Sequence, residues 1–406
     1  MTSINKFILF TVTVLLTLHS LGTHSETSPK VSEAEYLGVY DYGEENVNKD
    51  NVDRFLYRFK IDGKQRLFLI DSGEADEDGS YSYPVQNRLK EGYKYNITID
   101  NRTVTAAEEI TDETEPYMPP VQGTAGEMTL ENFLKTALMP VGTTLYIYGG
   151  GWDWQDEGSA ISTRTIGVSP DWVRFFSEND ENYTYSQVDG DASKTDPKNS
   201  YYPHGGYNEY YYAGLDCSGY LGWVLYNTFE TESGNDGWVG GSTGFAKRLA
   251  ARELGEWTQD IMMPDGINGY EMKPGDIMSI NGHVWISLGT CDDGSVVMVH
   301  STPSKSRTQQ PGGGVQISAI GYSYDCEAYR LADMYMSEYY PEWYNRYQTF
   351  LCSPAVYFTF TGENAGRFTW YTESAENGIT DPDGLQEKSP SEVLEKLFEG
   401  STPVSQ

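Results

Sequence analysis

Apolar positions recur along this chain in two periods, and the change falls near residue 128. In the first part the period is two. Val52, Phe55, Tyr57, Phe59 and Ile61 form a mostly alternating run, Asp62-Gly63 is a tight-turn dipeptide, and Arg66 to Ile70 supplies a second run. Alternation broken by Asp-Gly predicts a hairpin. Tyr93, Tyr95, Ile97 and Ile99 alternate again up to Asp100-Asn101, with Val104 beyond. Residues 26–110 therefore read as a small β-rich domain, and the Thr-, Glu-, Pro- and Gly-containing stretch 111–127 reads as a linker.

Helical and strand periods mix after that point. Leu130, Phe133, Leu134 and Ala137 share one helix face, and Thr143 to Tyr148 is a strand candidate ending at the Gly149-Gly150-Gly151 bend. Tyr220, Leu221, Val224, Leu225 and Phe229 predict a buried helix that begins near Cys217. Ser242-Thr243 can cap a helix through Leu254. Asn281-Gly282 separates two apolar runs, the second opening with His283, and Asp292-Asp293-Gly294 precedes a Ser295–Val299 run that delivers His300. A turn at Gly312–Gly314 is expected before a Val315–Ile320 strand. A helix over Glu327–Tyr340 should stop at Pro341, and Val356–Phe360 is a further strand candidate. Ser389-Pro390-Ser391-Glu392 is a capping-box start, and Val393, Leu394, Leu397 and Phe398 give the tail 361–406 a helix that docks on the body. The whole pattern predicts an α+β protein.

Composition narrows the setting. Lys6 followed by an apolar run from Phe7 to Leu18 reads as a secretory signal peptide over residues 1–25, and no other segment is apolar enough to span a bilayer. This predicts a secreted, extracellular or wall-associated protein with no membrane contact after cleavage. The net charge of −32 disfavours nucleic acid and anionic surfaces as partners. Four cysteines in an exported chain of 406 residues do not make a disulfide scaffold, and a pairing among Cys291, Cys326 and Cys352 cannot be read from spacing. An aromatic stretch with Trp172, Phe175, Phe176, Tyr183, Tyr185 and Tyr201 to Tyr212 fits either an irregular scaffold or a stacking surface for sugars. His204 within it reads as a loop residue.

Cys217 is the candidate nucleophile. At the start of a helix, unpaired N–H groups and the macrodipole favour the thiolate and can bring a thiol pKa from about 8.5 to roughly 3.5–7.5. Adjacent antiparallel strands would set His283 beside His300. A Cys, a His on a strand, and a polar residue behind that His are the parts needed for base activation of a thiol.

Asp216-Cys217-Ser218-Gly219, Gly275-Asp276, His283-Val284 and His300 occur in that order, with Tyr146-Ile147-Tyr148-Gly149-Gly150 upstream. In these pieces the chain resembles the NlpC-type family of bacterial cell-wall cysteine peptidases, over roughly residues 128–320. The resemblance implies a papain-like catalytic domain, a Cys-bearing helix packed on an antiparallel sheet, here spanning 128–360. A large insertion at 155–213 departs from the family pattern. It implies Cys217 as nucleophile, His283 as general base, His300 as its orienting partner, the Cys217 N–H as oxyanion donor, and Asp216, Ser218 and Tyr146 lining the subsite before the cleaved bond. The implied substrate is the peptide stem of peptidoglycan, cut between a D-γ-glutamyl residue and the diamino acid, by a monomer without cofactor. An amidase or an acyl or peptidyl transferase using the same pair stays open, as does an inactive wall-binding protein. A zinc hydrolase lacks a short-spaced ligand pair such as His-x-x-x-His.

Overall fold

The computed structural model describes residues 29–40, 55–71, 85, 89, 92–110, 117–147, 149–151, 166–178, 214–229, 238, 240–260, 271–309, 311–359, 362–374 and 378–404. The expected signal peptide, Trp152, Trp154, His204 and the Tyr-rich tract lie outside these residues. The described part is mixed α+β, with two sheets and eight helices.

The first sheet is a closed barrel. Its strands are β1 (Lys30–Val39), β2 (Tyr57–Ile61), β3 (Lys64–Ile70), β4 (Lys94–Asp100) and β5 (Thr103–Glu109), ordered β1-β2-β3-β5-β4. Strand β1 pairs with both β2 and β4, and β3 runs parallel to β5, a Greek-key closure that leaves no free edge. The β2–β3 turn carries the two positive φ angles that a tight hairpin needs, 49° at Asp62 and 72° at Gly63. Alternation does the rest, turning Tyr36, Tyr57, Phe59, Phe68, Tyr95, Ile97 and Val104 into one core.

The second body begins with α1 (Leu130–Leu138), whose first turn is capped by Thr129 accepting from the Asn132 N–H. After α2 (Pro170–Glu178), α3 (Cys217–Phe229) and α4 (Phe245–Ala250) come β6 (Gly255–Thr258), β7 (Ile277–Ile280), β8 (His283–Thr290), β9 (Val296–Lys305) and β10 (Pro311–Ile320). Then follow α5 (Glu327–Tyr339), α6 (Pro341–Arg346), β11 (Leu351–Cys352), α7 (Pro354–Tyr357), β12 (Gly366–Trp370) and α8 (Pro390–Leu397). The seven strands run β11-β10-β9-β8-β7-β12-β6, antiparallel except for the β10–β11 pair.

Several elements differ from the pattern reading. Val356 and Tyr357 belong to α7 and not to a strand, because Ser353-Pro354 starts a helical turn with Pro at its first position. Gly312–Gly314 is part of β10 and not a separate turn. Those glycines give room for a neighbouring chain: a Cβ on Gly314 would meet the Thr144 carbonyl at 2.1 Å. Pro341 starts α6 as well as ending α5. Of the expected Thr143–Tyr148 strand, the described residues 143–147 form isolated bridges at Leu145, to Gly214 and Gly314. The linker 111–127 packs on the body in its described part, with Val121 buried and the Gly126 N–H donating to the Asn227 carbonyl. The segment read as tail supplies β12, an interior strand, and α8, whose capping box forms between Ser389 and Glu392.

The two bodies meet through Arg174 of α2. Its guanidinium pairs with Glu109 at the end of β5 and with Asp171 at 2.5 Å, and it lies 4.6 Å from the centre of the Tyr93 ring.

Candidate active site

Cys217 is the first residue of α3, and the turn before it is built to hold it there. Asp216 caps the helix: its Oδ1 accepts from the Gly219 N–H at 2.7 Å and from the Ser218 hydroxyl at 2.9 Å. Its other oxygen accepts from the Gly149 N–H at 3.1 Å, and its own N–H donates to the Gly150 carbonyl at 2.8 Å. The triple-glycine bend thus wraps the helix start. A Cβ on Gly219 would meet the Gly150 carbonyl at 2.1 Å, so this approach requires glycine. In the structure Asp216 and Ser218 serve as cap and cap partner, while Tyr146 is buried and joined to β10 by its N–H donating to Gly313 at 2.8 Å.

His283 opens β8 directly after the Asn281-Gly282 turn, where Gly282 takes a φ of 79°. The turn is pinned from the other side by Thr243, whose hydroxyl accepts from the Gly282 N–H at 3.1 Å. His300 lies on β9, and the two imidazoles meet as expected: His283 Nε2 is 2.9 Å from His300 Nδ1. His300 Nε2 in turn lies 3.0 Å from the Ser318 hydroxyl on β10. His300, Ser318 and Gln316 are fully buried.

The thiol is brought to this pair but does not point at the imidazole. Its hydrogen bonds run to backbone on both sides of His283: it donates to the Gly282 carbonyl at 3.9 Å and accepts from the Val284 N–H. Strand alternation explains this. Val284, Ile286, Leu288, Val297 and Val299 pack in the cluster that holds α3, whereas Trp285 and Met298 pack with Cys352, Tyr357 and Phe358. His283 and His300 share the second parity. The thiol therefore reaches them around the end of β8, at the hairpin turn.

Electrostatics here overturn the expectation of a ready thiolate. Burial pushes the Cys217 thiol up to about 12, and the Asp216 carboxylate adds to the shift; the nearby N–H groups oppose it without prevailing. Burial brings His283 down to about 4 and holds His300 well below its usual value, with the neighbouring His283 acting in the same direction. The resting pair is a neutral thiol beside a neutral imidazole. Desolvation of the charged forms outweighs the helix terminus because Cys217 is only 5% exposed.

Pattern reading missed the residues that surround the imidazoles. Tyr357 stands edge-on to both rings, with centroids 5.6 Å from His283 and 6.0 Å from His300, and its hydroxyl bonds with Thr302 and Cys352. All four thiols are free. A cavity of about 300 Å³ lined by Asp293, Ser295, Cys326, Pro354 and Phe358 contains none of the site residues. Asp276, from the Gly-Asp pair, is buried inside the turn into β7, accepting from the Lys273 N–H at 2.8 Å; burial raises it to about 6, opposed by Arg367. Comparison with family models, with curated proteins and with solved structures returned no match for this chain.

Proposed function

We propose that this chain is a cysteine hydrolase with a papain-like catalytic body, in which Cys217 attacks an acyl carbon and His283 moves the proton. The observation that carries the reading is the 2.9 Å His283–His300 contact placed against the turn whose Gly282 carbonyl holds the Cys217 thiol. Catalytic hydrogen bonds are often unformed before substrate binds. A rotation of the Cys217 side chain exchanges the Gly282 carbonyl for His283 Nδ1, the ring nitrogen that His300 leaves free. The thiol proton passes to Nδ1 and the thiolate adds to the carbonyl carbon. The oxyanion meets the backbone N–H of Cys217, the first of α3, because Asp216 already takes the Ser218 and Gly219 N–H groups. Collapse breaks the acyl–nitrogen bond as Nδ1–H protonates the departing amine. Water, deprotonated by the same nitrogen, then releases the acyl group from sulfur.

The substrate reading follows the resemblance in sequence: peptide stems of peptidoglycan, cut after a D-γ-glutamyl residue, with Asp216, Ser218 and Tyr146 near the residue before the bond. The purified chain and its Cys217→Ala variant are incubated with peptidoglycan, isolated stem peptides and unfolded casein, and the products are separated by mass. Release of stem fragments by the parent chain alone is expected. Cleavage of casein with both wall substrates untouched rejects the substrate, and a transferase or amidase would show itself in the product masses.

A further inference from the structure

The base role of His283 depends on a choice that the two imidazoles cannot make by themselves. For Nδ1 to accept the thiol proton it must carry a lone pair, so the hydrogen of neutral His283 must sit on Nε2. That N–H then donates to His300 Nδ1, which puts the hydrogen of His300 on Nε2, facing the Ser318 hydroxyl 3.0 Å away. Ser318 must accept there, and its own hydrogen needs another acceptor. If instead the Ser318 hydroxyl donates to His300, every hydrogen in the row reverses: His300 Nδ1–H donates to His283 Nε2, and His283 Nδ1 is left protonated. In that arrangement His283 cannot be the base.

An acceptor is present beside Ser318. Gln316 lies two residues earlier on β10, hence on the same side of the strand, and it is paired in register with His300. It is 0% exposed, and neither Nε2 nor Oε1 of its amide has a hydrogen-bond partner. An unpaired buried amide costs about 1–3 kcal/mol, which makes it an unfavourable residue in a core with no task for it. We infer that Gln316 and Ser318 are positioning residues that set the tautomers of the histidine pair. From its unpaired position the Gln316 amide turns so that Oε1 accepts the Ser318 hydroxyl hydrogen, Ser318 accepts from His300 Nε2–H, and His300 accepts from His283 Nε2–H. The row ends in the free lone pair at Nδ1. No atom is transferred along it; when Nδ1 takes the thiol proton, the other three groups hold the imidazolium with their hydrogens already in place.

This inference rests on the reading of Cys217 and His283 as nucleophile and base, and its test has one measurement that needs no substrate. Nitrogen-15 labelling of histidine and long-range proton–nitrogen correlation spectra report directly which ring nitrogen carries the hydrogen. In the full chain at neutral pH, both His283 and His300 should be Nε2–H. Ser318→Ala and Gln316→Leu should shift both rings toward Nδ1–H, and Ser318→Thr should keep the parent pattern. On stem peptides, Ser318→Ala and Gln316→Leu should lower kcat roughly 10- to 100-fold, the range seen when a partner that orients a histidine is lost, with KM unchanged. A merely structural glutamine would let Gln316→Leu change the melting temperature but move neither the tautomers nor kcat. An Nδ1–H tautomer at His283 in the parent chain, or tautomers unmoved in both loss variants, overturns the inference. The expected tautomers in a chain inert toward every acyl substrate would support the row and reject the hydrolase.

Discussion

The barrel and the seven-stranded sheet are built from the same alternation, yet they bury different things. Every buried residue described in the barrel is apolar or aromatic, and its strands close on themselves without a free edge. The sheet buries His300, Ser318, Gln316, Ser279, Ser287 and Asp276 among its Val, Ile and Trp residues. A core needs none of these groups for packing, and each must recover in hydrogen bonds what it loses in hydration. The barrel carries no such cost among its described residues, and the sheet carries it.

The largest effect that would sharpen this contrast is loss of turnover without loss of structure. His283→Ala should reduce kcat by at least about 10²–10⁴-fold, the usual span for a general base, and should match Cys217→Ala, while the melting temperature of either variant stays close to that of the parent. His300→Gln, which keeps a hydrogen-bonding group behind His283, should retain measurable activity. A dead His300→Gln beside an active His283→Gln would reverse the two roles.

The opposite behaviour is expected of the barrel. Phe59 is fully buried in its core, its ring centre 5.3 Å from that of Tyr36 in a tilted contact and 5.9 Å from that of Phe68 edge to face. Phe59→Ala should cost about 3–5 kcal/mol of stability in chemical denaturation, with kcat per folded molecule unchanged. A fall in kcat at full folding would mean that the barrel takes part in the reaction and would break the comparison.

The smallest effect is in pH. His283 titrates at about 4 in the folded chain against about 6.5 unfolded. Between those values the unfolded chain holds a proton that the folded chain lacks, so stability falls as pH drops from 6.5 toward 4. His300 shifts in the same direction. Asp276, raised to about 6, works against them, because the folded chain binds its proton first. Asp216, also raised by burial, opposes them too, so the imidazole share is read as the part of the fall in melting temperature from pH 6.5 to 4 that His283→Ala removes. The described barrel contains no histidine and lacks this sensitivity. A pH slope left unchanged by His283→Ala would show this imidazole to be more solvated than the packing indicates.

Much of this was legible before folding is considered. Asp62-Gly63 announces its hairpin because the backbone angles needed there suit those residues, and Ser389 with Glu392 announces α8 because the capping box is local. The spacing from Tyr220 to Phe229 gives the helix, and the turns before His283 and Ser295 bring the two histidines together. What sequence withholds is register. Ser318 and Gln316 reach His300 only because β10 enters its pairing at Pro311, through three glycines that look like a turn. The direction of the thiol is hidden for a similar reason, since it depends on which parity of β8 faces α3. Tyr357 escaped notice because its β-favouring neighbours outvote a helical turn of four residues.

The position of β12 has a consequence in time. It lies between β7 and β6, although it is drawn from Gly366–Trp370, far downstream of both neighbours. A chain that leaves the ribosome N-terminus first can close its barrel early, from residues ending at Glu109. The hairpin that carries His283 must wait, with one edge of β7 unpaired, until Trp370 has been made. During that interval the open edge is available for wrong pairing. β12 seals it, so a chain cut short of Gly366 keeps that edge open beside the hairpin that carries His283.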